Sequence, residues 1–148
     1  MTKITSADHE HFMRRCIELA RIAKSHGESP VGSVIVRNGE IIGEGIEGGK
    51  ANLDITFHAE IEAIRHASQF LQSQDLSDCI LYTTHEPCIM CSYMIRHTKI
   101  TTIFSALSSG EYGGASSNYP LLLDTTIHKW GNPPKVVFGI LEEECKKL

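Results

Sequence analysis

The sequence predicts an α/β fold, a mixed β-sheet covered by helices on both faces. Three observations carry this. An amphipathic helical stretch opens the chain, a hairpin turn sits at Asn38-Gly39, and short β-rich runs then alternate with helical ones. The 148 residues suit one domain spanning 1–148, and no repeat or linker divides them.

Residues 6–26 read as a helix. Thr5 and Asp8 can form a capping box, Gly27 can end the helix, and Phe12, Cys16, Leu19, Ala20 and Ala23 share one apolar face. Pro30 opens a strand over 31–36. A second strand starts at Ile41-Ile42 and is expected to dissolve in Gly43, Gly45, Gly48 and Gly49. Residues 58–71 look helical and 79–83 form a β-rich run. Pro87 suits a first helical position, with the helix running to about His97. Strands follow at 100–104 and 136–140, and a short helix at 141–148. The stretch 105–133 reads as a long Gly- and Ser-rich loop, and loops of that length are often functional.

The net charge is −4 with a pI near 6.0, which is not the footprint of a strong nucleic-acid binder. No apolar run reaches the roughly 18–20 residues of a membrane span. Met1-Thr2-Lys3-Ile4-Thr5 shows no signal-peptide apolar region. A cytoplasmic location with no membrane partner is therefore expected. Five cysteines, an odd number, fit metal or core thiols better than a disulfide framework. Cys16, Cys79 and Cys145 have no partner at ligand spacing and read as core thiols.

The chemistry concentrates in His58-Ala59-Glu60 and Pro87-Cys88-Ile89-Met90-Cys91. Two cysteines three apart at a helix start share a face, and the helix N-terminus favours thiolates. With His58 they supply three donors of the kinds zinc prefers. A catalytic site leaves the fourth position to water, whereas a structural one closes it with a fourth side chain. Glu60 falls on the helix side of Ala63, Ile64, Ala67 and Leu71, where a carboxylate needs a reason to be buried. Two residues of helix turn through about 200°, so His58 is expected at the helix mouth and Glu60 in its first turn. Alone, the Cys-x-x-Cys pair would fit a redox site or a structural half-site equally well. The two motifs together match the known zinc deaminase signature, H-x-E…P-C-x-x-C.

On these residues the chain resembles the cytidine deaminase-like zinc enzymes. The nearest-looking branch holds tRNA adenosine deaminases, guanine deaminases and cytosine deaminases. The resemblance covers about residues 9–148 and includes Pro30-Val31-Gly32 and the tail Gly139-Ile140-Leu141-Glu142-Glu143-Glu144-Cys145. It implies a three-layer fold with a five-stranded mixed sheet and one zinc per chain on His58, Cys88 and Cys91. It also implies Glu60 as the proton carrier of a hydrolytic deamination, and a homodimer.

Departures bear on the substrate. An Asn that contacts the base typically lies eleven residues before the zinc histidine in this branch, and here Glu47 stands there. An ionised carboxylate only accepts hydrogen bonds, so Glu47 would read adjacent N–H groups, as on a guanine-like or aminotriazine ring. A solvated loop glutamate is the competing reading. Ser108-Ser109-Gly110-Glu111 replaces an Asp-Pro-Lys-like stretch, and Lys146-Lys147-Leu148 replaces a basic tail, both features of tRNA enzymes. His85, Tyr112 and Trp130 are further candidate substrate contacts, with Tyr119 beside them; a structurally bonded His85 and aromatics that serve as packing anchors are the competing readings. The remaining histidines (His9, His11, His26, His66, His97, His128) read as surface residues.

The expected activity is hydrolytic deamination of a free base or nucleoside, its ring guanine-, cytosine- or aminotriazine-like, with release of ammonia. The alternative is editing of adenosine to inosine in tRNA, counted against by net charge because phosphate contacts dominate such binding. A zinc-stabilised binding module with no catalysis is a further reading, which the buried Glu60 disfavours. A redox thiol function ranks last.

Overall fold

A computed structural model describes residues 5–148; the reading of residues 1–4 lies outside the described residues. The strands are β1 (Gly32–Arg37), β2 (Glu40–Ile46), β3 (Cys79–His85), β4 (Thr102–Leu107) and β5 (Lys135–Phe138). The helices are α1 (Ser6–Ser25), α2 (Gly49–Asn52), α3 (Ala59–Leu71), α4 (Ile89–Thr98) and α5 (Glu142–Lys146). The sheet order is β2-β1-β3-β4-β5. β1 runs antiparallel to β2 and β3, while β3, β4 and β5 run parallel.

Local chemistry sets the boundaries. Both halves of the Thr5–Asp8 capping box form, and the Thr5 N–H donates to Asp8 Oδ2 at 2.8 Å. Asn38 and Gly39 both take positive φ, as a tight hairpin turn requires. Two cores result, one on each sheet face. Phe12, Met13, Cys16 and Ile17 of α1 pack with Tyr82, Phe104 and Cys145 on one side. Ala63, Ile64, Ala67 and Ile95 of α3 and α4 pack with Ile35, Leu81 and Ile103 on the other. Cys16, Cys79 and Cys145 are buried free thiols, as expected.

The expectation for β2 fails in an instructive way. The strand does not dissolve at Gly43 and Gly45 but runs through both to Ile46. A Cβ at Gly43 would meet the Ala63 carbonyl, and one at Gly45 the Ala59 carbonyl. The glycines let α3 lie directly on β2, an instance of close backbone approach. Gly45→Ala would push away the first turn of α3, which carries His58 and Glu60. We expect it to cost about 1–3 kcal/mol, read as a lower urea midpoint at unchanged m.

Two other expectations change. Pro87 is not the first helical residue: Cys88 is the N-cap of α4, which starts at Ile89. The stretch 105–133 is not one long loop, because β4 takes its first three residues and three short 3-10 turns organise the rest. The Arg96 side chain holds those turns. It is 1% exposed and donates to the carbonyls of Leu121 at 2.9 Å, Asp124 at 2.8 Å and Gly131 at 3.3 Å. A buried guanidinium thus finds its partners in backbone oxygens. Among the described residues, no helix is long and apolar enough to cross a membrane.

Candidate active site

Two helix starts meet below the end of β3. His58 is the N-cap of α3 and Cys88 the N-cap of α4, both with extended backbone, and Cys91 lies in the first turn of α4. The Cys88 and Cys91 sulfurs are 3.5 Å apart, and His58 Nδ1 is 3.5 Å from the first and 3.4 Å from the second. The three ligand atoms lie within 4.8 Å of one another. Two thiols and an imidazole so placed form a donor set that fits one zinc ion. The partial positive charge of two helix N-termini favours sulfur anions there.

The protonation of the group reflects this crowding. The Cys91 thiol against Cys88, with His58 beside it, brings the Cys88 pKa down to about 4. The Cys88 sulfur raises His58 to about 9. Cys91 is pushed upward, because its proton is held by Cys88 and because it is buried.

Glu60 lies in the first turn of α3, 3% exposed. Burial raises its pKa, against opposing contributions from Cys91 and Thr83 beside it. The hydroxyls of Ser33 and Thr83 reach Glu60 Oε1 at 3.1 and 3.0 Å, and Ser33 Oγ lies 2.8 Å from Thr83 Oγ1. The two residues face each other across the β1–β3 pairing. Neither stands out in the sequence, although a buried serine in an otherwise apolar strand is a usable signal. Thr83→Val keeps shape and removes a hydroxyl that fixes Glu60. We expect deaminase activity to fall about 10- to 100-fold at unchanged zinc content, checked by ammonia release and metal analysis.

The remaining candidates separate. Glu47 is half-buried just past β2, where burial raises its pKa and it shares an electrostatic field with His58 and Cys88. It is not a fully solvated loop residue. His85 places Nδ1 3.1 Å from Thr84 Oγ1 at the end of β3, and burial lowers its pKa. Tyr112 is 66% exposed on the segment after β4, and Gly113 of that segment bridges to Cys88. Trp130 is not a substrate contact: it is 5% exposed, donates to His97 Nδ1 at 3.1 Å and packs under Arg96. Its indole N–H found a buried partner, as a packing anchor needs. His97, His9 and His66 likewise hold structural bonds. His9 lies 2.6 Å from the Tyr82 hydroxyl, and His66 accepts from the Glu44 N–H.

Comparison with known proteins agrees with this geometry. Residues 6–107 match the family model described as the cytidine and deoxycytidylate deaminase zinc-binding region. A tRNA-specific adenosine deaminase of Buchnera aphidicola is 45% identical, the match covering 94% of this chain and 84% of that one. A solved structure from a study of A-to-I editing by tRNA:A34 deaminases superposes with a TM-score of 0.86. It is 31% identical, with 93% of this chain and 97% of that one covered. A guanine deaminase from Bacillus subtilis is 42% identical over 68% of this chain and 64% of that one, with a TM-score of 0.65. The chain therefore belongs to the cytidine and deoxycytidylate deaminase zinc-binding family, and is a hydrolytic deaminase whose His58, Cys88 and Cys91 suit one zinc ion.

Proposed function

We propose that this chain deaminates adenosine to inosine in tRNA. One observation carries the reading. Likeness to tRNA deaminases covers 93–94% of this chain, with 97% of the solved relative and 84% of the Buchnera enzyme matched. The match to the guanine deaminase extends over 68% of this chain.

In this reading His58, Cys88 and Cys91 hold the zinc, which when bound supplies a Lewis acid able to make water nucleophilic near neutral pH. Glu60 accepts a proton from the attacking water and returns it to the departing amine. A C–O bond forms, the C–N bond breaks, and ammonia leaves. Ser33 and Thr83 hold Oε1 of Glu60, which leaves Oε2 for the proton. A carboxylate whose pKa is raised by burial suits that two-way transfer. A homodimer belongs to the same reading, with exposed Leu53, Ile55 and Phe70 supplying apolar area for it.

A second reading has its own observation. Glu47 is a carboxylate within the electrostatic reach of His58 and Cys88, and net charge is −4. Both favour a free guanine-like ring with paired N–H groups. Purified tRNA and guanine decide between them in parallel ammonia-release assays over a salt series. Inosine formed from tRNA, with KM rising steeply with salt, supports the first reading. Ammonia from guanine and none from tRNA at low salt replaces it with the second.

A further inference from the structure

Glu86 is charged, 1% exposed, and has no Lys or Arg partner among the described residues. All its hydrogen-bond donors come from one segment. Oε1 accepts from the Ser109 N–H at 3.0 Å, the Ser116 hydroxyl at 2.6 Å and the Ser108 hydroxyl at 3.3 Å. Oε2 accepts from the Ala115 and Ser116 N–H groups at 2.8 and 2.7 Å. Five donors around two oxygens satisfy an ionised carboxylate and no neutral group of the same shape.

The main chain completes the wrap. The Ser109 hydroxyl donates to the Glu86 carbonyl at 2.6 Å, and the Gly114 N–H donates to the Pro87 carbonyl at 2.8 Å. Gly113 lies so close that a Cβ there would fall on the Glu86 carboxylate. The wrapped segment bridges to Cys88 at Gly113. Ser108, Glu111, Tyr112 and Ser116 of the segment line a groove of about 780 Å³, together with Ile89 of α4 and Tyr119. Residues 108–116 thus reach the metal group through the Glu86 carboxylate and the Gly113 bridge to Cys88.

We propose that Glu86 is a positioning residue: it folds residues 108–116 into the wall against which the substrate lies outside its reacting ring. Its carboxylate hydrogen-bonds to neither the ligand atoms nor Glu60, so its contribution falls on substrate binding. Only the kinetic part of this inference rests on the tRNA reading.

The test is Glu86→Gln in the full chain, with hydrogen exchange, zinc content and kinetics on tRNA measured together. The amide NH₂ meets donors on whichever side it lies, so that side must open. We expect the Ser109, Ala115 and Ser116 amides to exchange at least tenfold faster. Zinc stays at one per chain, and KM for tRNA rises at least tenfold more than kcat falls. Gly113→Ala, which obstructs the same contact with the carboxylate intact, is expected to reproduce the KM effect if Glu86→Gln folds poorly. Unchanged amide exchange would overturn the proposal. So would loss of zinc, or faster exchange with KM unmoved. If the wild type acts on guanine and not tRNA, the substrate reading fails, and KM for guanine then tests the role of Glu86 in the same way.

Discussion

Glu60→Gln is expected to lower kcat/KM for deamination by about 10³- to 10⁴-fold, the upper range for one acid–base group. The substitution keeps length and planarity. The Gln carbonyl oxygen can still receive the Ser33 and Thr83 hydroxyls, so the first turn of α3 has no reason to move. What disappears is the group that holds a proton between attack and departure. Zinc content and unfolding midpoint should match the parent, while ammonia release should approach background. A variant retaining more than a tenth of parental kcat would remove Glu60 from its role.

The second large effect is expected from Cys88→Ala. Cys88 is only partly buried, so its loss leaves a smaller cavity than loss of the fully buried Cys91. Its effect should therefore be almost entirely the metal's. One of three donors goes, and with it the sulfur that makes 3.5 Å contacts with both others. Bound zinc should fall from one per chain to near zero, and activity at least about 10³-fold, since the metal supplies several kcal/mol of catalysis. Apparent stability should also fall, by about 4 kcal/mol if the parent is studied at zinc 1,000-fold above Kd. A chelator should produce the same state in the parent, reversed by added zinc only there. Retention of stoichiometric zinc by Cys88→Ala would contradict the three-donor assignment.

How far the sequence can be read varies with the kind of signal. His58, Glu60, Cys88 and Cys91 are legible because each carries rare chemistry at a fixed offset from a helix start. The glycine-interrupted β2 is not, since glycine weakens a strand locally and the reason for Gly43 and Gly45 is a helix many residues later. Trp130 stays undecided from sequence for a similar reason. An aromatic in an aperiodic stretch gives no hint of whether it faces solvent or, as here, a buried Arg96. Ser33 and Thr83 become visible only when strand pairing places them across from each other. Glu86 stands inside a recognised motif yet looks like punctuation before Pro87. Its purpose appears only when residues 108–116 close around it.

β3 sits third of five strands, with a neighbour hydrogen-bonded along each side. Thr83 lies within it, and Glu86 and Cys88 follow at its end. Fraying of proteins begins at sheet margins and chain ends, where the cost of opening is least. β5 can therefore breathe while the proton carrier's support and the metal turn keep their places, whereas β2 is pinned by the turn of α3 that bears His58 and Glu60. In such an arrangement the chemical machinery endures until the whole molecule comes apart, so inactivation and global unfolding should be one event.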